Sequence, residues 1–102
     1  MEFLGRIPMA ETPREKARKY ITSVETVLNG IEISKTTSNI NERSVRSVIT
    51  AARSYVEDAK HYLEERPSTA LAAVSYAEGL LDALKLLGVA KFTWPEARGD
   101  KH

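Results

Sequence analysis

Asp58 and His61 stand three residues apart, the spacing at which a carboxylate and an imidazole on one helix turn toward a shared metal ion. Glu78 and Asp82, four apart further along, are the carboxylates that would complete such a centre. The pattern falls short of a di-iron bundle, where the pair is Glu-x-x-His and occurs twice. Direction argues against it as well. At about 100° per residue, with Ala52 at the centre of the buried face, His61 points almost directly away and Asp58 lies about a third of a turn off. Solvated surface charge is the expected role of these groups, with no metal and no cofactor. Activity across a dimer through Asp58, His61, Glu78 and Asp82 is the remaining metal reading.

Other chemistry has thin support. The chain has no cysteine, which excludes disulfides, thiolate metal sites and a cysteine nucleophile. Its two histidines are His61, facing outward, and His102, the last residue, so neither serves as a general base in a triad. The residues therefore do not point to an enzyme.

Ser75, Glu78, Gly79 and Asp82 form a patch that helix stability alone would not select. Like charges four apart cost a few tenths of a kcal/mol, and a mid-helix glycine costs about 1 kcal/mol relative to alanine. Two explanations fit. The patch binds a partner whose backbone or cationic group approaches Gly79, or Gly79 admits a neighbouring helix of the same chain while Glu78 or Asp82 pairs with a cation of the first helix. A second candidate surface is basic: Arg14, Lys16, Arg18 and Lys19 crowd one helix start, and Arg43 and Arg46 another. Such groups could hold phosphates of RNA or a nucleotide, but acids sit close by, no glycine-rich phosphate loop is present, and net charge is only +1. Tyr55, Tyr62 and Tyr76 read as edges of a core.

The elements that would position these groups are three amphipathic helices, expected at about 12–29, 41–65 and 68–87. Thr12-Pro13-Arg14-Glu15 is a capping box with proline at the first helical position. Ala17, Tyr20, Ile21, Val24, Val27 and Leu28 recur at helical steps up to the stop at Asn29-Gly30. Val45, Val48, Ile49, Ala52, Val56, Ala59 and Leu63 make the second stripe, ended by Arg66-Pro67. The third segment carries two rows: Ala70, Val74, Ala77, Leu81 and Leu84, and beside them Ala73, Tyr76, Leu80, Ala83 and Leu87. A helix so apolar is expected between its two predecessors, and Gly88 stops it. Leu71 and Leu86 fall toward its polar side, where with Gly79 they could mark a seam for self-association. The fold class is all-α, an up-and-down three-helix bundle over 12–94, with Phe92 and Trp94 in a short extended cover. Residues 1–11 are expected to be flexible, 31–41 an irregular connector, and 95–102 a disordered tail. Nothing reads as a secretory signal or a membrane span, so a cytoplasmic protein is the expectation.

The run Ala51-Ala52-Arg53-Ser54-Tyr55-Val56-Glu57-Asp58-Ala59-Lys60-His61-Tyr62-Leu63, followed by Ser75-Tyr76-Ala77-Glu78-Gly79-Leu80-Leu81-Asp82-Ala83-Leu84 and then Gly88, resembles a family of short archaeal proteins known as a domain of unknown function numbered in the three hundreds. The resemblance covers about residues 12–92 and is strongest in the Tyr-Ala-Glu-Gly-Leu-Leu-Asp-Ala-Leu stretch. It implies a closed three-helix bundle in the archaeal cytoplasm and no particular activity. Related domains attached to nucleotidyltransferase-like domains imply an accessory role. The chain is also similar, more weakly, to HEPN helical domains, but Arg53 and His61 stand too far apart for their ribonuclease motif. The expected function is a non-enzymatic module that binds a protein partner or forms a homo-oligomer; the alternative is an RNA or nucleotide accessory.

Overall fold

The computed structural model describes residues 11–34 and 39–95. Most of the expected flexible start (1–10), the middle of the connector (35–38) and the expected tail beyond Pro95 lie outside the described residues. The chain builds α1 (Pro13–Gly30), β1 (Glu32–Ile33), α2 (Glu42–Tyr62), α3 (Pro67–Leu86) and β2 (Ala90–Lys91). The three helices pack against each other as an all-α bundle.

Each helix starts and stops for local reasons. Thr12 and Glu15 form the capping box in full: the Glu15 backbone N–H donates to Thr12 Oγ1, and the Thr12 N–H donates to Glu15 Oε1, both at 3.1 Å. Asn41 caps α2 by accepting from the Ser44 N–H at 2.8 Å. Helix α1 ends at Gly30 without a left-handed residue, because Ile31 turns to extended geometry (φ −68°, ψ 138°). Helix α2 stops at Tyr62, short of the expected 65, because a tight turn must deliver Pro67 as the first residue of α3. Gly88 does adopt the left-handed conformation, at φ 77°. There the Gly88 N–H donates to the Lys85 carbonyl and the Val89 N–H to the Leu84 carbonyl, which satisfies the orphan carbonyls at the end of α3.

The connector and the cover are not wholly irregular. Glu32–Ile33 pairs antiparallel with Ala90–Lys91, with Glu32 opposite Lys91 and Ile33 opposite Ala90. The Ser34 N–H extends the ladder to the Val89 carbonyl at 2.9 Å. Helices α1 and α3 end at the same end of the bundle, so their exits can zip together. The pattern has no strand-length alternation because two residues are too few to show any.

The core runs along one stripe of each helix: Ala17, Ile21, Val24 and Leu28 from α1, Val45, Ala52 and Val56 from α2, Val74, Ala77 and Leu81 from α3. Helix α3 packs on both other helices, while α1 and α2 touch each other least. Helix α3 lies against both predecessors as expected, but only the first of its two apolar rows goes fully under cover. Ala70, Val74, Ala77, Leu81 and Leu84 are buried, but in the second row Ala73 and Leu80 are only half-buried, and Tyr76, Ala83 and Leu87 are exposed. In a three-helix bundle the two neighbours of a helix lie close together around its axis. They can enclose one row and the edge of the next, and an apolar arc wider than that stays in water.

Candidate functional site

Two surfaces carry the residues singled out from the sequence. The first is the seam where the start of α1 meets the end of α2. Arg14 donates from Nε to the Leu63 carbonyl at 3.4 Å and from Nη2 to the Glu64 carbonyl at 2.6 Å. Arg18 pairs with Glu64 at 3.2 Å, and Lys19 with Glu11 at 2.7 Å. Lys16 lies over the Tyr20 ring, 5.9 Å from its centroid. Further along, Arg53 donates to the Leu28 carbonyl at 3.2 Å. Lys60 bridges Glu25 at 2.8 Å and Glu57 at 3.3 Å. Those two carboxylates, Glu25 first, hold the Lys60 ammonium above its usual pKa. At the start of α2, Arg46 is clamped by Glu42 one turn earlier, at 2.6 Å, beside exposed Arg43. Of the six cations proposed for phosphate, Arg14, Arg18, Lys19 and Arg46 are thus engaged with acids or carbonyls. They staple α1 to α2 or secure a helix start.

The second surface is on α3, and the structure divides the expected patch in two. Ser75 and Gly79 are exposed, whereas Glu78 and Asp82 are half-buried on the flank toward the C-terminal cover. Asp82 accepts from Trp94 Nε1 at 2.8 Å. Phe92 and Trp94 meet edge to face with centroids 5.1 Å apart, and both pack against the core. The Lys85 ammonium sits 4.9 Å from the Phe92 centroid. The aromatic segment is therefore a clasp on this chain.

Among the described residues Gly79 serves no neighbouring helix, because a Cβ built there meets nothing within 4 Å. Around it lies a continuous exposed strip: Ser68, Thr69, Ala72, Ser75, Tyr76, Gly79, Ala83, Leu86 and Leu87. At about 100° per residue these occupy one sector of the helix, opposite Ala77 and Leu81. No member of it is charged; Glu78, Asp82 and Lys85 all fall on the flank beside the clasp. Leu86 is 87% exposed, Leu87 60% and Tyr76 54%. On the other flank Tyr76 meets Tyr55 of α2 edge to face, centroids 4.5 Å apart. Leu71, expected on the exposed side, is half-buried against the core.

Asp58 and His61 are exposed, and the His61 ring leans on Tyr62 with centroids 4.8 Å apart. Among the described residues no three His, Asp or Glu side chains gather where they could hold a metal ion. No described helix is long and apolar enough to cross a membrane.

Gly79 stands out in the sequence as a helix anomaly, whereas the strip around it does not. Tyr76, Ala83 and Leu87 belong to the second apolar row of the pattern, and hydropathy cannot tell an inner row from an outer one. The lack of charge over that arc was the available signal.

Fold and surfaces together define a small helical bundle with one ion-paired seam and one open, uncharged helix face. The family model described as "Protein of unknown function (DUF357)" matches residues 19–90. The chain belongs to that family. No curated protein matches it, and no solved structure does.

Proposed function

We propose that this chain is a non-enzymatic interaction module that docks helix against helix through the open face of α3. The archaeal, cytoplasmic setting implied by the resemblance is carried with that proposal. One observation carries the reading: the exposed sector of α3 holds Tyr76, Leu86 and Leu87 with small residues between them and no charge. Single exposed leucines are ordinary on a protein surface, whereas apolar groups gathered on one face mark an interaction site. An uncharged face with small residues at its centre suits a second helix, because backbones can approach closely there and no ion has to leave water. Gly79 supports the same reading. It weakens α3 and relieves no contact among the described residues, so its lack of a side chain benefits an incoming molecule. The basic groups do not compete as a docking surface, since most already have acidic or carbonyl partners.

Affinity capture tests this reading, with the full chain and its Ala83→Glu variant as baits in native extract at equal loading. Ala83 is exposed, so the variant keeps the fold, which circular dichroism verifies. Proteins retained by the unaltered chain are expected to be lost from the variant. Identical retention by both baits would contradict the proposal.

A further inference from the structure

The open face of α3 is its own complement, and we infer that its occupant is a second copy of this chain, packed antiparallel about Gly79. This inference rests on the docking reading above and names the partner.

Bulk is distributed unevenly along the face. Its first half carries the small residues Ser68, Thr69, Ala72 and Ser75 with Tyr76 at the edge beside Tyr55 of α2, and its second half carries Ala83, Leu86 and Leu87, with Gly79 between them. A two-fold axis through Gly79, perpendicular to the helix, places Leu86 of one copy over Ala72 of the other and Ala83 over Ser75. Leu86 then meets a small group on both sides of the axis, and Tyr76 falls beside Ala83 of the other copy. Two copies of one surface in mutual contact is the arrangement a closed dimer requires. At the crossing point glycine meets glycine, where a missing Cβ brings the backbones closest.

Charge permits the same pairing. A strip without charge meets its copy without like-charge repulsion. The flanking ions are occupied within the chain: Asp82 by Trp94 and Lys85 by the Phe92 ring. A partner recognised by salt bridges would find no counterpart on this strip.

Area sets the strength. A helix of 20 residues is about 30 Å long and about 10 Å wide, which gives a footprint on the order of 300 Å² per copy. That lies well below the roughly 800 Å² per partner of a standard stable complex. The dimer is therefore weak and reversible, forming as concentration rises.

The absence of cysteine allows a clean test. Single variants Ser75→Cys and Ala83→Cys are oxidised separately and as a mixture, with Thr50→Cys on the outer side of α2 as control. Sedimentation velocity on the unaltered chain runs from about 10 µM to about 1 mM. In the antiparallel pair, residue 75 lies beside residue 83 of the other copy, whereas each lies eight residues, about 12 Å along the axis, from its own counterpart. Disulfides need Cα atoms within about 7 Å. The mixture is expected to crosslink at least about tenfold faster than either single variant or the control, and the sedimentation coefficient is expected to rise with concentration. Equal crosslinking of singles and mixture overturns the antiparallel register. A monomer at every concentration overturns the second copy; if the capture difference at Ala83 persists, the face belongs to a partner of another sequence. Failure of both experiments removes the docking reading too.

Discussion

The α1–α2 seam and the open face of α3 are both exposed, yet they solve opposite problems. Along the seam, long charged side chains cross between helices that pack thinly, and nearly every cation has a named acceptor: Arg14 and Arg18 at Glu64 and its carbonyl, Lys60 at Glu25 and Glu57, Arg53 at Leu28. Such a surface is finished within the chain. The α3 face has well-formed helix beneath it, anchored by a buried row from Ala70 to Leu84, but Leu86 and Leu87 stay exposed and, among the described residues, nothing lies over Gly79. A surface that is satisfied internally reports on stability. One that is apolar, uncharged and open reports on association.

The largest effect that separates inside from outside on α3 compares two leucines five positions apart. Leu81 is fully buried and Leu86 is 87% exposed. Leu81→Ala should destabilise the fold by about 2–5 kcal/mol in chemical denaturation, the range for a buried leucine that leaves a cavity. Leu86→Ala should change monomer stability by less than about 0.5 kcal/mol and act on association instead. Comparable losses at both positions would mean the face is covered within the chain, and the contrast with the seam would break.

The smallest effect sharpens the other side of the comparison. Lys60 is exposed and its pKa is raised by Glu25 and Glu57. A raised lysine pKa means the folded state binds the proton more tightly, so the contribution is fully present below the unfolded value of about 10.4 and is lost as pH rises through the higher folded value. The stability difference between the unaltered chain and Lys60→Met should stay constant from about pH 6 to about pH 10 and shrink above that. Added salt should shrink it at any pH, because the bridge is open to solvent. A difference that grows at alkaline pH would refute the pairing.

Much of the fold was legible from local rules. The Thr12–Glu15 box, Pro67 and Gly88 act through nearest neighbours, and the helix starts and stops follow from them to within a few residues. What the pattern could not resolve depends on neighbours distant in sequence. The strand pair formed because α1 and α3 end side by side, a fact of topology that Glu32 and Lys91 do not signal. The bond from Trp94 to Asp82 depends on topology in the same way: the clasp folds back along α3, and its indole N–H reaches the carboxylate. The pattern leaves the place of Ala83 and Leu87 open, because apolarity marks a preference for cover and does not specify whose cover it is. Gly79 was legible as an anomaly from its helix cost alone, while deciding between an inner and an outer neighbour needed the space around it.

That decision is tested most directly by Gly79→Ala, with thermal unfolding of a dilute, monomeric sample and sedimentation of a concentrated one measured on the same preparation. A Cβ at this position meets nothing within 4 Å, so the monomer should gain stability by up to about 1 kcal/mol from the better helix former, while self-association weakens. A variant that unfolds more easily would show that Gly79 is packed inside the chain, and unchanged association would show that no second helix crosses there.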